Sequence, residues 1–154
     1  MNALPAAFVG ASRRWFADVV CVASAALLIL SGAIKAMDLP SFARVIESQG
    51  LFTLPSAQTL ASTVALAEIA VAAVAIASLV FDRRVLAARA LGLFVGILCA
   101  SVLILAINPP ARPVPCGCAL SSAPVESWWG LVGRNFGWLI LLIGASLAAP
   151  VRPN

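Results

Sequence analysis

Two thiols separated by one glycine, Cys116-Gly117-Cys118, and one carboxylate isolated in an apolar stretch, Glu68, are the residues of this chain best placed to do chemistry. The sequence has no histidine and no tyrosine. That excludes His-ligated metals and haems, Ser-His-Asp and Cys-His catalysis, and tyrosyl acid–base steps. What remains is four cysteines, six carboxylates and ten basic groups. Fully extended, the two residues from Cys116 to Cys118 span about 7 Å, too far for easy bridging, but a bend at the glycine makes a tight disulfide feasible. Three readings of the pair stay open: a redox-active dithiol, a static local or intermolecular disulfide, and a metal site. The last is the weakest, since two thiolates without histidine supply too few ligands for tetrahedral zinc, and no metal is expected. Cys21 and Cys99 read as small buried hydrophobes.

Glu68 belongs to a constellation. An ionised carboxylate deep in a span is expensive, and is by default paired or functional. Ala61, Ala65, Glu68, Ala72 and Ala75 fall on one helical face, a stripe of small residues that turns Glu68 into a bundle. Lys35 ends a similar stripe, Cys21, Ser24, Leu28, Ser31, Lys35. Arg134 and Asn135 lie near the start of the last apolar segment. Lys35, Glu68, Arg134 and Asn135 are therefore expected to form one buried charge cluster. It serves either as an ion-pair lock on helix register or in proton or substrate handling; Lys35 also has the option of pairing with Asp38.

The elements that position these residues follow from where charges are missing. Hydrophobic residues make up 62% of the 154 and charged residues 10%, against a soluble norm of about 25% charged. Lipid is the solvent, and disorder, nucleic-acid binding by a basic face and a secreted disulfide scaffold are excluded. Charge-free gaps place four spans near 16–36, 57–81, 89–108 and 128–149. The expected fold is all-α: an integral membrane four-helix bundle in a single transmembrane domain, 1–154. A short interfacial helix lies between spans one and two, capped by Asp38, started by Pro40 and stopped by Gly50, with Phe42, Val45 and Ile46 on one face. Gly92/Gly96 and Gly133/Gly137 read as helix-packing pairs.

Arg13, Arg14, Arg83, Arg84, Arg89 and Arg152 fall on one side of the four spans, against Lys35, Arg44, Arg112 and Arg134 on the other. The positive-inside rule makes both termini cytoplasmic and puts the Cys116–Cys118 loop on the outer side, where disulfides persist. Ser12-Arg13-Arg14-Trp15-Phe16 looks like a twin-arginine export signal but reads here as the cytoplasmic anchor of span one.

Gly32-x-x-Lys35-x-x-Asp38-x-x-x-Phe42, Leu66-Ala67-Glu68, the Cys116-Gly117-Cys118 loop and Arg134-Asn135 occur in that order. Over residues from about 17 to 148, this pattern resembles the methylamine utilisation protein MauE family, within the wider DoxX-like group of four-helix membrane proteins. Ala119-Leu120 departs from the Phe-Gly type of continuation that the resemblance leads one to expect. The resemblance implies a multi-pass inner-membrane protein that matures, transports or forms disulfides in the methylamine dehydrogenase small subunit, beside a thioredoxin-like partner. The leading expectation is a thiol–disulfide or electron-relay component serving an exported client, with Cys116 and Cys118 as the redox pair. A quinone is a candidate electron acceptor by analogy, though no residue marks a site for one. The rivals are a non-catalytic assembly or chaperone subunit and a small transporter using Glu68.

Overall fold

The computed structural model describes residues 6–50, 53–108 and 128–148. Among them are five helices: α1 (Ala6–Met37), α2 (Leu39–Ser48), α3 (Leu54–Val80), α4 (Arg84–Ile107) and α5 (Trp128–Ala148). The described residues contain no strand. Four segments are long and apolar enough to cross a membrane: Ser12–Met37, Pro55–Val80, Arg84–Ile107 and Trp129–Ala148. In lipid every backbone polar group must be satisfied internally, so apolar segments of this length settle as helices.

The helices start earlier than the charge gaps suggest. α1 runs through Arg13 and Arg14, and α4 begins at Arg84 instead of near residue 89. A helix continues into the interface, where arginines carry their charge outward along apolar stems. A charge therefore marks the edge of the lipid, and the helix extends beyond it. The α3–α4 connection is short. Asp82 takes a left-handed φ of 59°, which aspartate tolerates better than most residues. Its N–H donates to the Leu79 carbonyl at 3.0 Å and that of Arg83 to Ser78 at 2.6 Å.

α1 packs most extensively on α3 and α4 on α5, with α1–α5 and α3–α4 contacts closing the bundle. Small residues line most of the core between them, Ala17, Cys21 and Ala25 of α1, Ala72 and Ala75 of α3, Ala87 of α4 and Ala145 of α5, with Leu28, Leu91 and Leu142 as large side chains buried among them. Small side chains let helices approach closely where apolar burial gives no advantage over lipid. Many other large apolar residues point outward, among them Leu66, Leu93, Ile140 and Leu147, each more than 60% exposed. Cys21 and Cys99 are buried and free, as expected of small hydrophobes.

The glycine pairs behave differently from expectation. A Cβ on Gly92 would meet only Leu142, at 3.9 Å, and one on Gly96, Gly133 or Gly137 would meet nothing within 4 Å. Gly133 and Gly137 lie on the exposed face of α5. Spacing identifies small residues on a common face, but it does not say whether that face looks at a partner.

α2 forms where the sequence places it. The Ser41 N–H donates to the Asp38 carboxylate at 3.1 Å, and the chain turns out of the helix at Gly50, φ +76°. The Asp38 carboxyl is held below its ordinary value by hydrogen bonding to Ser41, first through the side chain and then through the backbone. Its apolar side does not simply lie on lipid. Ala43 and Ile46 are buried against Ala57 and Ala61 of α3. Gly32 of α1 lies opposite Ala65 and Glu68, and α1 ends at Met37. About two turns of α3 therefore stand beyond the end of α1, and α2 folds onto that free wall.

Candidate functional site

The predicted α3 stripe is buried throughout: Ala61, Ala65, Glu68, Ala72 and Ala75 are each no more than 1% exposed. The alternating steps of four and three residues keep them on one side of the helix. That side meets α1 at Gly32. A Cβ there would lie 2.8 Å from Ile69 Cγ1, 3.0 Å from the Ala65 carbonyl oxygen and 3.2 Å from the Glu68 Cβ, so only glycine allows the two backbones this close.

One turn beyond Gly32, Lys35 projects from the same face. Its Nζ donates to Glu68 Oε1, forming an ion pair whose side chains are 8% and 2% exposed. The Lys35 Nζ also lies 5.3 Å from the centre of the Phe42 ring, a cation–π distance. Phe42 is delivered by α2: its N–H donates to the Asp38 carbonyl at 3.1 Å, in the first turn that Asp38 caps. The four residues of Gly32-x-x-Lys35-x-x-Asp38-x-x-x-Phe42 thus form one physical unit. Glycine sets the approach, lysine makes the pair, aspartate starts the covering helix and phenylalanine covers the ammonium. The alternative Lys35–Asp38 pairing is not formed, because each charge is committed elsewhere.

Glu68 Oε2 is buried and has no hydrogen-bond partner. Arg134 does not supply one. It is exposed, and Asn135 is half-buried; no hydrogen bond or ion pair joins either to Lys35 or Glu68 among the described residues. The expected four-residue cluster is therefore a two-residue pair. Arg134 has a suitable depth along its helix, but it shares the outward face of α5 with Gly133 and Gly137.

The sequence reading missed a second ionic device at the opposite end. Arg84 Nε donates to Asp18 Oδ1 at 2.8 Å and Nη2 to Oδ2 at 3.3 Å. The same guanidinium pairs with Asp82. This fork ties the start of α4 to the first half of α1 across 66 residues. A signal is present in the sequence: Asp18 is the only carboxylate between Arg14 and Lys35.

Cys116 and Cys118 lie outside the described residues, as does the rest of 109–127. The ends of that segment are described. α4 starts beside Asp18, runs 24 residues and ends at Ile107. α5 returns so that Gly144 meets Phe16 of α1 at 3.9 Å from its would-be Cβ. Asn108 and Trp128 therefore stand at the end of the bundle where Lys35, Glu68 and α2 are found.

The chain belongs to the methylamine utilisation protein MauE family, whose model matches residues 13–148. No curated protein and no solved structure matches it. Membership and the four apolar helices together make it a multi-pass membrane protein of methylamine utilisation.

Proposed function

From that membership, we propose that this protein is a thiol–disulfide component of the cell inner membrane that serves maturation of an exported client such as the methylamine dehydrogenase small subunit. Cys116 and Cys118 are the exchanging pair, and a thioredoxin-like protein is the partner. The observation that carries the reading is topological. Asn108 and Trp128, the described residues that flank the segment bearing both thiols, stand at the α2 end, opposite Arg13, Arg14, Arg83, Arg84 and Arg89. By the positive-inside rule the arginine end is cytoplasmic, with both termini, which puts the thiols on the side where disulfides are kept.

The exchange is balanced without a further reagent. A thiolate of the pair attacks a disulfide of the partner, one partner sulfur leaves as thiolate, and a mixed disulfide forms. The second cysteine then attacks that bond. The partner is left as a dithiol and Cys116–Cys118 as a disulfide, with two electrons passed to the partner; the reverse sequence oxidises a client. In this reading the Lys35–Glu68 pair holds α1 and α3 in register beneath the site.

Replacing either cysteine by serine should trap the mixed disulfide as a covalent adduct on a non-reducing gel, and replacing both should abolish adduct and client maturation. Wild-type maturation in the double-serine variant overturns the redox reading in favour of an assembly subunit. The unpartnered Glu68 Oε2 favours one second reading, a small transporter with Glu68 as coupling carboxylate. Transport that survives Glu68→Gln overturns it.

A further inference from the structure

The arginine end of the molecule holds a groove that the proposed function does not use. It has a volume of about 510 Å³ and runs between α4 and α5, within the range of small-molecule sites. Its walls are apolar, with Gly92 and Leu93 on one side and Leu139 and Ile143 on the other. Arg89 and Ser146 also line it, toward the arginine end. Gly92 meets Leu142 across the helices, and one turn back along α4 and one turn on along α5 bring Arg89 level with Ser146. From Leu139 to Leu147 the groove extends about 12 Å along α5, the reach of much of an acyl chain.

Charge says what occupies it. Arg89 is exposed and makes no ion pair among the described residues. The two described carboxylates at this end, Asp18 and Asp82, are both engaged by Arg84. Arg13, Arg14 and Arg83, at the same end of the bundle, are exposed. An apolar slot beside an uncommitted guanidinium at interface depth combines the two chemistries of one molecule. We propose that this groove binds an anionic phospholipid, with an acyl chain along Gly92 and Leu139 and the headgroup phosphate on Arg89. Guanidinium presents a fork of donors that matches phosphate oxygens, and basic pockets between membrane helices recognise acidic headgroups in this way. The surplus of arginines over aspartates at this end selects a net negative headgroup over a zwitterionic one.

The test is native mass spectrometry of the full chain, delipidated in detergent and titrated with dioleoylphosphatidylglycerol or dioleoylphosphatidylcholine. Wild type should retain the glycerol lipid at least about tenfold better than the choline lipid, an energy difference of about 1.4 kcal/mol. Arg89→Gln should lower the glycerol lipid to the choline level, Arg89→Lys should keep a partial preference, and Gly92→Leu, which fills the slot, should weaken both lipids. Equal retention of the two lipids by wild type overturns the proposal, as does an unchanged preference in Arg89→Gln. A dimer of Ser146→Cys cross-linked by a membrane-permeant bismaleimide in native membranes and absent from wild type, with no lipid preference in detergent, assigns the groove to a second copy and also overturns it.

Discussion

At one end of the bundle, Lys35 meets Glu68 with side chains 8% and 2% exposed; at the other, Arg84 grips Asp18 with side chains 23% and 39% exposed. Each pair ties α1 to a later helix, yet the surroundings differ in every respect that matters energetically. The Lys35–Glu68 pair is stripped of water, needs glycine opposite to bring the helices together, and is covered by an aromatic ring. Removing one partner there leaves a bare charge where neither water nor lipid stabilises it. The Arg84–Asp18 pair stays in reach of water. It uses the planar fork of arginine and a second carboxylate, Asp82, and either partner can be solvated if the other is lost. The same formal interaction is a structural commitment at one end and an adjustable contact at the other.

Glu68→Ala is the strongest way to break this contrast. It should destabilise the detergent-solubilised bundle by about 3–5 kcal/mol, the cost of orphaning one member of a buried pair, read as a large fall in thermal midpoint. Replacing Lys35 and Glu68 together by methionine should restore much of that loss. If the double variant is as unstable as Glu68→Ala, the cost does not come from the abandoned charge.

Glycine substitutions sharpen the comparison at intermediate size. Gly32→Ala pushes a methyl group against the Ala65 carbonyl and should cost about 1–3 kcal/mol, as overpacking does. Gly133→Ala meets open space and should be neutral or gain up to about 1 kcal/mol from helix propensity. Equal effects at the two positions, measured by denaturation in the same detergent, would show that close approach at Gly32 is not what holds Lys35 near Glu68.

The smallest effect belongs to the partly exposed pair. Arg84→Gln should cost no more than about 1 kcal/mol, and its penalty should shrink as salt is raised from low to physiological strength. A loss equal to that of Glu68→Ala, insensitive to salt, would erase the distinction between the two ends.

Much of this arrangement is legible in sequence, for one physical reason: lipid penalises charge so heavily that each exception carries information. The four spans appear as gaps between charges. The alanine stripe turns Glu68 inward, and the depth of Lys35 identifies its partner. Angle around the helix is harder to read. Arg134 has the right depth and the wrong face, and nothing in the local spacing of α5 distinguishes the side that looks at a neighbour from the side that looks at lipid. The same ambiguity explains Gly133 and Gly137. Asp18 was hidden by its position at the margin, where a charge is cheap and attracts no notice. The Cys116–Cys118 pair, which carries the proposed chemistry, lies outside the described residues, so its reading still rests on composition, loop side and family.

The 33-residue separation of Lys35 and Glu68 bears on how the chain enters the membrane. Released singly, α3 would bring the Glu68 charge to mid-span, at roughly 3 kcal/mol on insertion scales for a carboxylate, and α1 would carry Lys35 without its partner. Released as a hairpin, with α2 already wound at the tip, the lysine and glutamate neutralise each other before either faces lipid. The pair thereby favours co-insertion of the first two spans, and a ribosome still synthesising α4 would have behind it a half-bundle in which Lys35 and Glu68 are already matched.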